Sequence, residues 1–218
     1  MKRSYKWMTG LTLLAFVMVG LFLTVAPDTL PVHYNARGEI DGWGSKYTYL
    51  LFPALTAFMG VFMGLVARYE GKQGRQDNAN VVAGTGVFVL VLFDALWAFF
   101  LVKGLKGTDL NIGSDLGIKA LYLLLCASLI PMGNFMPKAR RNSLLGLRTK
   151  WSMADDVCWQ KSQRIGGYLM MATGIAGIVL VALLPVQWGV FAVLGLLLGD
   201  AAVSTVATYR IWKREHKR

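Results

Sequence analysis

Two carboxylates sit where a charge is expensive. Asp94, in Leu92-Phe93-Asp94-Ala95, and Asp200, in Leu198-Gly199-Asp200, lie deep inside long apolar runs. A charge at that depth costs about 2.5–3.5 kcal/mol on insertion scales. Each aspartate is therefore expected to face other helices and to be protonated, hydrogen-bonded or paired. Two roles fit. One is a proton relay or polar cavity. The other is structural glue, with the carboxyl satisfied by a Ser, Thr, Tyr or Trp on a neighbouring helix.

A catalytic role has thinner support. Two membrane carboxylates that share a proton can activate water, and Leu198-Gly199-Asp200 carries part of the GxGD pattern of intramembrane aspartyl proteases. Leu197 stands where the first glycine of that pattern belongs, and acid–base work needs the two groups close together. His33 and Asp41 share a polar stretch, but two ligands are too few for zinc, which takes three or four from protein. A hydrogen bond within the loop is the simpler expectation. Cys126 and Cys158 have neither the spacing nor the neighbours of a metal or redox pair and read as small apolar residues. The chain contains no phosphate-cradling glycine loop, no G-x-S-x-G and no H-E-x-x-H. It is expected to be no enzyme and to carry no cofactor and no metal.

A second polar stretch holds Asn142-Ser143-Leu144-Leu145-Gly146-Leu147-Arg148-Thr149-Lys150-Trp151-Ser152, followed by Asp155 and Trp159. Tryptophans beside basic residues commonly anchor a membrane edge. Gly146-Leu147-Arg148-Thr149 asks for more, because a glycine turn fixes an arginine beside a hydroxyl. Such a group suits a carboxylate, a lipid phosphate or a partner's acidic patch.

The elements that must position these residues are membrane helices. Of 218 residues, 55% are hydrophobic and 16% charged, against about 25% charged in soluble domains; the mean hydropathy is +0.48. A helix needs about 20 apolar residues to cross the hydrocarbon layer. Six runs qualify: Trp7–Ala26, Thr48–Ala67, Val81–Val102, Leu116–Met132, Ile165–Leu184 and Val186–Tyr209. They use most of the chain, so residues 1–218 are expected to form one all-α polytopic membrane domain of six transmembrane helices. The first run is too long for a signal h-region and lacks an A-x-A-like site, so it is expected to be retained.

Eighteen lysines and arginines fall in segments 1–6, 68–80, 134–164 and 209–218; four others, Arg37, Lys46, Lys103 and Lys106, fall in the alternate loops. Lys119 lies at the outer edge of the fourth run and can snorkel. This bias places both termini in the cytoplasm. The net charge of +11 then marks basic inner loops against anionic lipid, and direct nucleic-acid binding is the weaker reading.

The loops have their own signals. The outer loop, residues 30–46, alternates turn chemistry (Asn35-Ala36-Arg37-Gly38, Asp41-Gly42) with strand-like Val32-His33-Tyr34 and Glu39-Ile40. It is expected to form a small irregular hairpin, with Ser45 capping the second span and Pro53 in that span's first turns. Pro131, Gly133, Asn134 and Pro137 are expected to end the fourth span early. Ser152-Met153-Ala154-Asp155 has the form of a capping box, predicting a helix from near Met153 into the fifth span. Pro185 makes the last two spans a tight hairpin. Gly60 with Gly64, and Gly195 with Gly199, have the small-xxx-small spacing that permits close helix packing.

Two motifs together resemble a known family. Pro31-Val32-His33-Tyr34-Asn35, Gly38, Asp41, Ser45 and Lys46 resemble the P-x-H-[WY]-N-x-x-G-x-x-D-x-x-x-S-K outer-loop motif of the SdpI-type immunity family. Gly133-Asn134-Phe135-Met136-Pro137, Gly146-Leu147-Arg148-Thr149-Lys150-Trp151-Ser152 and Trp159, within 133–164, resemble its inner motif. Leu147 stands where isoleucine is usual. The resemblance implies a bacterial cell-membrane protein that protects against a secreted peptide toxin. It also implies, as in the best-known member, a receptor that holds a small repressor protein at the membrane. Carried over residue by residue, Pro31, His33, Asn35, Gly38, Asp41 and Lys46 become candidate ligand-binding residues outside. Gly146, Arg148, Thr149, Trp151 and Trp159 become candidate partner-binding residues inside. From the residues alone, a proton-coupled transporter using Asp94 and Asp200 is the alternative.

Overall fold

The computed structural model describes residues 2–35, 40–106, 114–142 and 145–217. Its helices are α1 (Lys2–Val25), α2 (Leu51–Lys72), α3 (Gln76–Lys106), α4 (Ser114–Phe135), α5 (Asp156–Leu183) and α6 (Val186–His216). Strands β1 (Thr29–Tyr34) and β2 (Ile40–Ser45) lie between α1 and α2. All six helices are long and apolar enough to cross a membrane. Large apolar side chains along them are exposed, among them Leu21, Phe58, Val61, Leu183 and Leu198, as lipid-facing helices require. The protein is a multi-pass, all-α membrane protein.

By internal contacts the chain forms two compact units, Met1–Gln73 with Val82–Leu121, and Gly74–Val81 with Tyr122–Arg218. In the first, α1 packs on α2 where glycine thins the helix. A Cβ at Gly60 would lie 3.1 Å from Thr12 Oγ1, and Tyr5 donates to the Gly64 carbonyl at 3.3 Å. The expected close packing at this glycine pair is therefore present. Val19, Phe22, Ala26, Leu30, Tyr49 and Leu101 form the buried cluster beneath the hairpin. Phe52 stacks on Trp97 at 4.2 Å, and Trp97 donates to Thr56 Oγ1 at 2.8 Å.

In the second unit, α5 and α6 form the expected hairpin, turning at Leu184-Pro185. Helices α4 and α5 meet backbone to backbone: a Cβ at Gly133 would lie 2.5 Å from the Gly167 carbonyl, and one at Gly167 equally close to the Gly133 carbonyl. No other residue type fits either position without separating the helices. Gly195 and Gly199, in contrast, have nothing within 4 Å, so this spacing mediates no close packing among the described residues.

Two boundaries differ from the sequence expectation. Helix α4 continues through Pro131 and Gly133 to Phe135, and a short 3-10 turn, Met136–Lys138, follows. Proline removes one backbone N–H hydrogen bond and kinks a helix without always ending it, and here Gly133 is needed for contact with α5. Helix α5 starts at Asp156, not near Met153, and its N-cap is Asp155, whose side chain accepts from the Cys158 N–H at 2.8 Å. The proposed capping box does not form, because Ser152 spends its hydroxyl inside the preceding loop.

Candidate functional sites

The first candidate site is the hairpin. Strands β1 and β2 pair antiparallel, with Leu30 opposite Gly44, Pro31 opposite Trp43 and His33 opposite Gly42; irregularities flank His33. Leu30 is fully buried and plugs the hairpin into the helices, and Tyr49 donates its hydroxyl to the Pro31 carbonyl at 2.9 Å. A Cβ at Gly42 would press on His33 Cβ, and one at Gly44 on Val32. Side-chain-free positions on β2 thus let β1 lie close.

Lys46 ties the base of the hairpin. Its ammonium lies 3.0 Å from Asp28 and donates to the Ala26 carbonyl at 3.4 Å, while its backbone N–H donates to the Asp28 carbonyl. The Lys46 side chain is only 18% exposed, so it fastens the loop to the end of α1. Ser45 accepts from Tyr47 N–H and caps the 3-10 turn Lys46–Leu50 that leads into α2; the expected cap is present, one short turn earlier in form. His33 Nδ1 and Asp41 Oδ1 are 2.5 Å apart, with side chains 71% and 43% exposed. The pair is the intraloop hydrogen bond expected of it. Val32, Trp43 and Tyr47 are exposed beside it, giving a surface of mixed aromatic and ionisable character. Asn35 is half-buried; Gly38 lies outside the described residues.

The second candidate site is the loop from Ala139 to Asp155. Gly146 has φ +97, a left-handed conformation that glycine adopts without penalty, and a Cβ there would collide with the Gln163 carboxamide. Gln163, fully buried on α5, accepts from Leu147 N–H at 2.8 Å and donates to the Leu147 carbonyl at 2.9 Å. Ser152 then closes the turn. Its hydroxyl donates to the Leu147 carbonyl at 2.8 Å and accepts from Thr149 N–H at 2.9 Å, and its own N–H donates to Thr149 Oγ1 at 3.1 Å. Thr149 donates to Thr208 Oγ1 on α6 at 2.9 Å, and Trp151 packs on Tyr209, ring centroids 5.2 Å apart.

This lattice fixes every neighbour of Arg148 and leaves Arg148 itself exposed; among the described residues it has no ion pair. Trp159 differs from the expectation. It is 1% exposed and donates its indole N–H to the Ala139 carbonyl at 2.7 Å. It therefore holds the loop from within and presents no surface to a partner or to lipid. Sequence reasoning missed Gln163. Its only signal was a polar, hydrogen-bonding residue on a helix just where the apolar run begins.

The membrane aspartates are placed as follows. Asp94 is 6% exposed, and among the described residues neither of its carboxylate oxygens has a hydrogen-bond partner. Of the two roles read from the sequence, structural glue therefore finds no polar neighbour among the described residues. Asp200 is half-buried and accepts from Ser204, one turn along α6, at 3.2 Å. Cys126 and Cys158 are free and buried, matching their reading as small apolar residues.

One cluster was not anticipated: Asp155, Cys158 and His216 bring ligand-type atoms within 4.8 Å of one another. Simpler bonding accounts for it. Asp155 Oδ1 caps α5 and Oδ2 lies 3.5 Å from His216 Nε2, near the end of α6. The Cys158 N–H bond, foremost, holds the Asp155 carboxyl below the ordinary carboxylate range.

Six membrane-length helices, with a plugged hairpin after the first and a glutamine-clamped arginine loop after the fourth, define the class. Within it, the SdpI/YfhL protein family model matches residues 138–208, which hold the clamped loop and most of α5 and α6. A model described as a domain of unknown function (DUF1648) matches residues 10–57, which hold most of α1, the hairpin and the start of α2. Immunity protein SdpI of Bacillus subtilis (strain 168) is 20% identical over 203 residues, 92% of each chain. Over nearly its whole length the chain is thus similar to an SdpI-type immunity protein. No solved structure matches it.

Proposed function

We propose that this chain is a bacterial cell-membrane immunity protein, with no catalytic role, that protects its host from a secreted antimicrobial peptide. What carries the reading is a full-length likeness to an immunity protein combined with two built loops. Each loop is rigid underneath and exposes unusual chemistry. The hairpin offers Val32, His33, Asp41, Trp43 and Tyr47, a mixed surface suited to a membrane-active peptide. The clamped loop offers Arg148. If all six helices cross, one span separates the N-terminus from the hairpin and four separate it from the clamped loop. The two loops then face opposite sides, and the basic bias puts both termini and the Arg148 loop in the cytoplasm. In this reading the hairpin meets toxin outside, and the Arg148 loop meets a small repressor protein inside. His33 and Asp41 belong to the ligand face. Lys46, Gly146 and Thr149 position the two loops.

The test is survival. Sensitive cells that express the protein are challenged with secreted peptides of related bacteria, and the same is done with His33→Ala and Arg148→Ala. The proposal expects raised survival, lowered by His33→Ala with unchanged membrane abundance. Full protection by both variants contradicts it.

One observation favours a second reading. A buried carboxyl whose two oxygens have no partner among the described residues, Asp94, is what a proton-coupled transporter needs. Solute flux in proteoliposomes that follows a pH gradient and fails in Asp94→Asn supports that reading, and absence of flux removes it.

A further inference from the structure

Helix ends in the second unit, with the first residues of the Ala139–Asp155 loop, line a cavity away from Arg148. Its volume is about 930 Å³, and its walls come from the start of α3, the segment after α4 and the first turns of α5. Six cations line it: Arg75, Lys138, Arg140, Arg141, Lys161 and Arg164. Among the described residues two acids do, Asp77 and Asp156. Three cations are engaged at their edges: Arg140 with Asp77 at 2.7 Å, Arg141 with Asp156 at 2.9 Å and Lys161 with Glu215 at 2.6 Å. Lys138 and Arg164 have no carboxylate among the described residues; Lys138 only lies over the Phe135 ring, at 5.1 Å. The floor is apolar, with Pro137, Ala139 and the edge of buried Trp159.

We propose that this cavity binds a phosphate group, and that its source is the headgroup of an anionic phospholipid. The charge excess sets the sign of the ligand. The paired arginines add to it, because a guanidinium can share its fork between a carboxylate and a phosphate. The concave shape brings these charges together on one group, which scattered surface lysines cannot do. The position selects lipid over a free anion. The cavity opens where apolar helices begin and end, at headgroup depth, and basic pockets between membrane helices at that level suit anionic headgroups. A glycerophosphate is small against this volume, so glycerol and the first carbons can rest on Pro137.

The experiment follows thermal unfolding of the full chain in neutral detergent, titrated with four probes: phosphatidylglycerol, phosphatidylcholine, inorganic phosphate and hexaglutamate. Phosphatidylglycerol is expected to raise the unfolding temperature in a saturable way, and phosphatidylcholine not to. Lys138→Gln and Arg164→Gln should each raise the half-saturating concentration about fivefold, and the pair about 25-fold. Lys150→Gln, a cation outside the cavity, should leave it unchanged. The two single variants keep the test valid if the double variant folds poorly. Stabilisation by inorganic phosphate, lost in the same variants, supports the phosphate site but moves its source from lipid to solution. Equal half-saturation in wild type and variants overturns the proposal. So does stabilisation by hexaglutamate and not by phosphatidylglycerol, which would make the cavity a seat for an acidic protein.

Discussion

Gln163 and Leu147 meet through two hydrogen bonds, with the glutamine carboxamide accepting from the leucine N–H and donating to its carbonyl. A side chain thus pairs with backbone as a strand neighbour would, and Arg148 is the next residue. Replacing Gln163 by Leu removes both partners at once. Each unpaired backbone group costs about 1–3 kcal/mol when sheltered from water. Gln163→Leu should therefore lower the unfolding temperature in detergent by several degrees. Gln163→Glu, which keeps one acceptor, should lower it less. Gly146→Ala should destabilise too, since it combines a positive φ with a collision against the same carboxamide.

The hairpin pair predicts a separation of stability from function. His33 and Asp41 are both well exposed, and exposed ion pairs contribute about 0–1 kcal/mol. His33→Ala and Asp41→Ala should leave thermal unfolding nearly unchanged, yet reduce peptide protection. Lys46→Met should do the reverse in emphasis. It removes a shielded ammonium that fastens Asp28 and the end of α1, so hydrogen exchange over 29–35 and 40–45 should quicken.

Asp155 gives a pH dependence with a definite sign. Its carboxyl is held below the ordinary range, chiefly by the Cys158 N–H. A depressed carboxylate stabilises the fold above the unfolded value, about 3.9, and that contribution fades as pH falls through the lower folded value. Asp155→Ala should cost about 1 kcal/mol at pH 7 as a lost N-cap. Unfolding measured from pH 7 down to pH 3 should show the gap between variant and wild type narrowing.

Asp94 separates the two functional readings. Its oxygens are buried without partners among the described residues, so Asp94→Asn removes no hydrogen bond seen there. The immunity reading expects Asp94→Asn to retain protection and unfolding temperature. A large loss of protection with normal membrane abundance would favour the transporter.

How far the sequence reached follows from what each signal depends on. Six spans, the hairpin and the Ser45 cap were legible because length, apolar runs and turn residues act locally. The glycine pair in α2 was read correctly for contact, but Gly195 and Gly199 show that such spacing says nothing about whether a partner helix comes near. Pro131 and the Ser152 box misled for one reason: tertiary bonds overrode local preference. Gly133 must reach α5, and Ser152 must reach the Leu147 carbonyl. Tryptophan beside basic residues usually sits at a surface, but the Trp159 indole is buried against the Ala139 carbonyl. Gln163 was illegible because its partner is a backbone, which leaves no matching residue in the sequence.

The account rests on the hairpin and the Arg148 loop lying on opposite faces of the membrane, and sidedness can be measured without knowing the toxin. Single cysteines are placed by Trp43→Cys and Arg148→Cys; the native cysteines are buried and give little background. Intact cells are then treated with a membrane-impermeant maleimide. The account predicts labelling at position 43 in intact cells and at position 148 only after permeabilisation. Equal labelling of both positions in intact cells would contradict it.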